Sequence, residues 1–320
     1  LLQPLTVSAL TVKLLILALA LTVDILLGEP PKKIHPTVWM GKFIAFIEQK
    51  LKVNSVPKTE KLNGVYLAVM SVAFFGFLCH LILYVCHYIH VFLFLIVGVF
   101  LLKSTFALKS MREHVIPITE ALNGGDLPRA RSLVSRIVSR DTSNFDGKHV
   151  ISATVESVAE STVDGVTSPL FYFSISGIMG AFVYRVINTL DSMVGYKNHY
   201  THFGWFSAKM DTLANFIPAR ITAYLMILAS ILTGGNGKYI HKILKRDSSK
   251  TESLNAGWPI AAMAGALEVQ LEKPGVYRLG ENKKELSVES IYQALQIMQI
   301  TVFLFTILIV IPILVLVHLA

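Results

Sequence analysis

The sequence predicts an all-α polytopic integral membrane protein: about four transmembrane helices, two further helical segments that are broken or re-entrant, and helical cytoplasmic loops. Three observations carry this. Hydrophobic residues make up 53% of the 320-residue chain and charged residues 16%, with a mean hydropathy of +0.57, too apolar for an ordinary soluble domain. Between Lys61 and Lys103 lie 41 residues without Asp, Glu, Lys or Arg, which as helix is about 60 Å, twice the hydrocarbon thickness of a bilayer. Residues 290–320 are equally free of such charges. The length divides between apolar spans and polar loops, so the reading is one membrane domain over residues 1–320, with 103–165 and 234–289 as cytoplasmic helical or loop subregions.

In chain order, the apolar run from Leu5 to Leu27 is long enough to span and no small-x-small cleavage site follows it, so it reads as a retained helix. The uncharged stretch after Lys61 reads as a helical hairpin with a tight turn between Cys79 and His90, where His80, His87, Tyr88 and His90 suit the interface better than the bilayer centre. Cys79 and Cys86 lie inside that stretch and suggest no disulfide framework, and the Cys/His spacing is looser than that of structural zinc sites. Helices are predicted over Thr105–Leu122, Pro128–Val138 and Lys148–Thr162, the first two separated by the stop-and-cap signal Gly124-Gly125-Asp126-Leu127-Pro128. Val166–Tyr184 is uncharged but contains Gly177 and Gly180, and Phe216–Leu232 is interrupted by Pro218 and Arg220. These are the two doubtful segments. Ile297–Leu319 is a final span.

The net charge is +8, and the Lys and Arg residues concentrate in three loops: from Lys32 to Lys61, from Lys103 to Lys148, and within 234–289. The positive-inside rule places all three in the cytoplasm. A basic balance spread over such loops suits anionic lipid or phosphorylated ligands and argues against nucleic acid. No internal repeat supports a transporter built from inverted halves. Gly234-Gly235-Asn236-Gly237-Lys238-Tyr239 lacks the spacing of a phosphate-binding P-loop.

Several polar residues sit where chemistry is plausible. Glu156, Glu160 and Asp164 are spaced i, i+4, i+8, one face of a helix if the helix persists. No base stands at those spacings, and such a row suits either Mg²⁺ or simple solvation. Arg185, Asn188 and Asp191 follow the first doubtful segment. An acid such as Asp191 beside apolar sequence is costly unless paired or coordinated. Arg220 either snorkels or faces a cavity and binds phosphate. Asp24, Gly28-Glu29-Pro30-Pro31 and His35-Pro36 form a constrained turn with two acids and an imidazole, and Asn255-Ala256-Gly257-Trp258-Pro259 marks the start of a helix rich in small residues.

Six blocks, in order from Asp24 almost to Gly280, resemble the adenosylcobinamide-phosphate synthase family (CobD/CbiB). They are DILLGEPPKKIHPTVWMGKFI from Asp24, RDT from Arg140, ESVAESTVDGVTSPLFY from Glu156, GAFVYRVINTLDSMVGY from Gly180, FGWFSAKMDTLANFIPAR from Phe203 and NAGWPIAAMAGALEVQLEKPGVYRLG from Asn255. Ser161 stands where the family usually has Asn, and Leu254 where it has Pro.

The resemblance implies a cell-membrane enzyme with a cytoplasm-facing site. It would use ATP as cosubstrate and Mg²⁺ as cofactor to join adenosylcobyric acid, a corrinoid, to aminopropanol phosphate or ethanolamine phosphate through an amide. On that reading Glu156, Glu160, Asp164, Asp191 and Asp211 are candidates for metal binding, and Arg140, Arg185, Lys209 and Arg220 for phosphate. His35 is the candidate proton acceptor. Asn188, Asn215, Asn255 and Trp258 would touch the corrin, with helix capping an equal reading for the asparagines near helix starts. Association with other membrane enzymes of cobalamin biosynthesis is a further implication. A non-enzymatic corrinoid carrier is the rival class. If both doubtful segments span fully, residues 188–215 face away from the basic loops, and broken segments lining a sheltered cavity avoid this.

Overall fold

The structure is a computed structural model that describes residues 8–52, 56–196 and 200–319. Among these residues it is all-α apart from one small hairpin. In order, the helices are α1 (Ala9–Leu27), α2 (Pro36–Leu51), α3 (Pro57–Ile89), α4 (Val91–Lys103), α5 (Leu108–Asn123), α6 (Leu127–Val134), α7 (Gly147–Thr162), α8 (Ser168–Val194), α9 (Trp205–Leu232), α10 (Gly237–Asp247) and α11 (Gly257–Leu267). Strands β1 (Gln270–Lys273) and β2 (Tyr277–Gly280) follow, then α12 (Val288–Phe305) and α13 (Ile311–Leu319). Five-residue π turns, Val163–Thr167 and Thr306–Val310, join α7 to α8 and α12 to α13.

Among the described residues, six helical stretches are long and apolar enough to cross a membrane: Ala9–Leu27, Pro57–Ile89, Val91–Asn123, Gly147–Val194, Trp205–Leu232 and Val288–Leu319. Large apolar side chains such as Phe77, Phe92, Ile96 and Leu316 are exposed on them, as expected where lipid is the solvent. The chain is a polytopic membrane protein. It divides into two compact units, one of residues 1–107, 168–214 and 307–320, the other of residues 108–167 and 215–306.

In the first unit α4 packs on α1, α3 and α8, and α2 and α3 also pack on α8. The α3–α4 turn is one residue, His90, in extended conformation, whose Nδ1 accepts the backbone N–H of Phe92 and so caps α4. It lies at the end of the window that the sequence proposes. Both Cys79 and Cys86 are buried free thiols.

The first doubtful segment is re-entrant. Ser176 and Gly177 leave helical geometry, with Gly177 at φ 66°, a region open to glycine and strained for other residues. The chain reverses there: Tyr172 and Tyr184 stack with centroids 5.4 Å apart. After the reversal the chain returns to the end of the unit that carries the first basic loop. Tyr200 donates to Glu48 Oε1 at 2.6 Å, Lys52 lies 3.5 Å above the Tyr200 ring, and Gly64 of α3 is glycine because a Cβ there would stand 1.8 Å from the Phe203 carbonyl. Tyr200 and Phe203 therefore lie at the same end of the first unit as the first basic loop.

The second doubtful segment departs from expectation, since Phe216–Leu232 is the latter part of the unbroken helix α9, with Pro218 inside it. Proline removes the N–H that would bond the carbonyl four residues back. That carbonyl, of Ala214, accepts the Tyr172 hydroxyl at 3.0 Å instead.

The second unit is built on α7, whose Val155, Val158 and Ala159 are fully buried with Ile260 to Ala264 of α11 and Ile291, Ala294 and Met298 of α12. On its other flank α7 packs Val150 and Ala153 against Ile118 and Ala121 of α5 and Ala130 and Val134 of α6. Helix α5 begins at Leu108, after a turn at Ser104–Thr105. Helix α6 ends at Val134, four residues short of the predicted stop. The antiparallel hairpin pairs Leu271 with Leu279 and Lys273 with Tyr277, and both leucines are fully buried. Alternation then puts Lys273 and Tyr277 on the same inward face, nearer the turn.

Candidate functional site

Two polar clusters stand out, one in each unit. The first gathers where α1 and α4 end. Lys103, 1% exposed, places Nζ 3.0 Å from Asp24 Oδ1 and 2.9 Å from Glu29 Oε1, and donates to the Phe106 carbonyl at 3.1 Å. Glu29 Oε2 lies 2.6 Å from His35 Nε2. Burial pushes the Glu29 carboxyl up, but the hydrogen bond from His35 and the charge of Lys103 outweigh it and hold the group below its usual range. His35 Nδ1 accepts the Thr37 N–H, capping α2. Both ring nitrogens are thus engaged, which makes His35 a holder of the turn in this geometry.

Beside it, Arg185 donates through Nε and Nη2 to the Thr105 carbonyl and through Nη1 to Asn188 Oδ1 at 3.0 Å. Asn188 Nδ2 reaches Asp211 Oδ1 at 3.3 Å, and the field of Asp211 acts on Asp191. Four sequence candidates, Arg185, Asn188, Asp191 and Asp211, therefore meet. Three donors of Arg185 are spent on structure, so in this geometry it braces the turn after α4. Lys209 is exposed on α9.

The second cluster lies on α7. Glu156, buried, accepts from Ser152 Oγ at 2.8 Å on Oε1, and from Arg140 Nη2 at 3.0 Å and Tyr277 Oη at 2.7 Å on Oε2. No base stands at the helical spacings of the acid row, but Arg140 reaches it from the segment before α7. Its Nη1 is buried without a hydrogen-bond partner among the described residues. Glu160, one turn on, feels the fields of Glu156, Arg140 and Lys273. Asp164 falls in the π turn Val163–Thr167, whose wider coil takes it off the strict i, i+4, i+8 register. Among the described residues, no group of three or more His, Cys, Asp and Glu side chains is placed to hold a metal ion. Any Mg²⁺ here would complete its shell with phosphate oxygens and water.

Arg220 stacks 3.5 Å over the Phe216 ring and 4.8 Å from that of Trp258, donating to the Phe216 carbonyl at 2.6 Å and to Asn255 Oδ1 at 3.3 Å. Asn255 thus holds Arg220 through its side chain, while its carbonyl accepts the Trp258 N–H. Asn215 is buried in the same unit. Sequence reasoning missed Lys103, Ser152 and Tyr277 as site residues. The signal for Lys103 was its place at the end of an apolar run. For Tyr277 it was the Pro274-Gly275 turn beside it.

Fold and clusters together define a multi-pass membrane protein that buries two acid–base pairs, Asp24–Lys103 and Glu156–Arg140. The CobD/Cbib protein family matches residues 17–302. A probable cobalamin biosynthesis protein CobD of Methanocaldococcus jannaschii is 41% identical over 304 residues, covering 92% of this chain and 96% of the relative. One from Methanothermobacter thermautotrophicus is 38% identical over 292 residues (91% and 95%), and a cobalamin biosynthesis protein CobD of Dehalococcoides mccartyi is 38% identical over 278 (87% and 90%). No solved structure matches. The chain belongs to the CobD/CbiB family of cobalamin biosynthesis proteins.

Proposed function

We propose that this protein is a ligase that uses ATP to join the carboxylate of adenosylcobyric acid to the amine of aminopropanol phosphate or ethanolamine phosphate, giving adenosylcobinamide phosphate. The observation that carries the reading is the Arg140–Glu156 pair: one arm of the guanidinium is fixed on a buried carboxylate, and the buried Nη1 is left as a donor for a phosphate oxygen. A carrier for corrinoids needs apolar spans and aromatic contacts but gives this pair no task.

A carboxylate is a poor electrophile. In the proposed sequence its oxygen attacks the γ-phosphorus of ATP and expels ADP. The amine then attacks the acyl carbon and expels phosphate, and the proton lost from nitrogen passes to a base. Mg²⁺, when bound, supplies charge neutralisation at the phosphates. Glu160 and Asp164, the other two acids of the row, are the residues proposed to hold it. Arg140 and Arg220 bind phosphate oxygens, and Trp258 with Phe216 offers ring faces to the corrin. Asp191, within the electrostatic reach of Asp211, belongs to the polar cluster of the first unit, where His35 holds the turn after α1. Positive charge in three loops supports a cytoplasm-facing site in the cell membrane.

The test is incubation of the detergent-purified protein with the corrinoid, aminoalcohol phosphate, ATP and Mg²⁺. The amide product, formed only with ATP present, is the expected result. Corrinoid binding without product under any of these conditions points to the carrier.

A further inference from the structure

The hairpin Gln270–Gly280 is the only sheet among the described residues, and its two faces do different things. Outward, Glu272 pairs with Arg278 at 2.9 Å across the strands. Inward, Leu271 and Leu279 anchor the base in the core of the second unit, and Lys273 and Tyr277 stand nearer the turn. The hairpin is also tied to α7 through its backbone: the Glu272 N–H donates to Ser152 Oγ at 2.8 Å, and Ser152 Oγ lies 3.3 Å from the Glu272 carbonyl. Ser152 donates in turn to Glu156. Tyr277 then closes the ring by donating to the other oxygen of Glu156 at 2.7 Å. Burial, first, and the Glu156 carboxylate push the Tyr277 phenol well above its usual range, so the hydroxyl stays protonated and remains a donor.

We infer that Tyr277 is a positioning residue for the acid row: the hairpin holds its hydroxyl on Glu156 so that Arg140, sharing the same carboxylate oxygen, is fixed with Nη1 presented to substrate phosphate. This rests on the ligase reading. A carboxylate has about four lone-pair sites, and three are filled here by Ser152, Arg140 and Tyr277. Loss of the phenol leaves Glu156 free to turn and take Arg140 with it. Tyr277 touches no reacting atom and acts only through that pair.

The experiment compares wild type, Tyr277→Phe, Glu156→Gln and the double variant as full-length protein in detergent, with Arg278→Ala as a control on the outward face. Phenylalanine keeps the ring, and a thermal midpoint within a few degrees of wild type confirms the fold. Tyr277→Phe should lower kcat roughly ten- to a hundredfold, the range for a hydrogen bond to a charged group, while KM for the corrinoid stays within about twofold. In the Glu156→Gln background the same change should cost no more than about threefold, because the partner is then neutral. Arg278→Ala should remain within about twofold of wild type. A Tyr277→Phe protein with wild-type kcat, or equal losses in both backgrounds, overturns the inference and leaves the ligase reading standing. A wild type without ligase activity overturns both.

Discussion

Tyr172 and Tyr184, twelve residues apart in what is nominally one helix, stack at 5.4 Å, whereas a straight helix would separate them by about 18 Å. The reversal at Ser176–Gly177 therefore returns the chain to the end it came from, and the contacts of Tyr200 with Glu48 and Lys52 place residues after α8 beside the first basic loop. In a background with Cys79 and Cys86 replaced by alanine, single cysteines at Lys58 and at Tyr196, both exposed, should react with a membrane-impermeant thiol reagent from the same side of sealed vesicles. Reaction from opposite sides contradicts the re-entrant fold.

Lys103 and Asp24 are each 1% exposed and lie 3.0 Å apart. Removing one partner of a buried pair leaves an uncompensated charge, which costs about 3–5 kcal/mol. Lys103→Met should accordingly cause a large drop in the thermal midpoint of the purified protein, and adding Asp24→Asn should recover part of it. A single variant as stable as wild type would show that the pair contributes little.

How much of this was legible beforehand follows from range. The apolar runs are local, so the hydrophobic stretches and the weakness at Gly177 are visible in the sequence. Lys103 reads as one more basic loop residue because its partner Asp24 is far away in the chain, at the end of another helix. The hairpin escapes notice because its strands have four residues each, too short for alternation to show, although Pro274-Gly275 marks its turn. Glu156 and Glu160 are visible as a row. The reach of Arg140 and Tyr277 to Glu156 is a tertiary fact with no local signature.

Asp247 offers a test by pH. Burial opposes its charge, but Arg246, Lys250 and the Gly280 N–H hold it at about 2, below its ordinary 3.8. A depressed folded value stabilises the protein above the unfolded value and loses that contribution as pH falls through the folded one. Asp247→Asn should therefore cost about 2 kcal/mol at pH 6, read by denaturant or thermal unfolding, and the gap from wild type should shrink between about pH 4 and pH 2. A gap independent of pH would assign the effect to packing.

Arg220 lies over the Phe216 ring and near Trp258 with Asn255 as acceptor. Lysine keeps the charge but loses the planar fork and its stacking. Arg220→Lys should leave membrane insertion intact and weaken apparent affinity for ATP or the aminoalcohol phosphate by about 1.5–3 kcal/mol. Unchanged affinity for both phosphates makes Arg220 a structural anchor of α9.

The central claim is activation of a carboxylate by ATP, and oxygen transfer tests it most directly. Corrinoid labelled with ¹⁸O in its reacting carboxylate is incubated with purified protein, ATP, Mg²⁺ and aminoalcohol phosphate, and the released inorganic phosphate is analysed by mass spectrometry. The account predicts one labelled oxygen in the phosphate for each amide formed. Amide formed without ATP, or phosphate released without label, would contradict it.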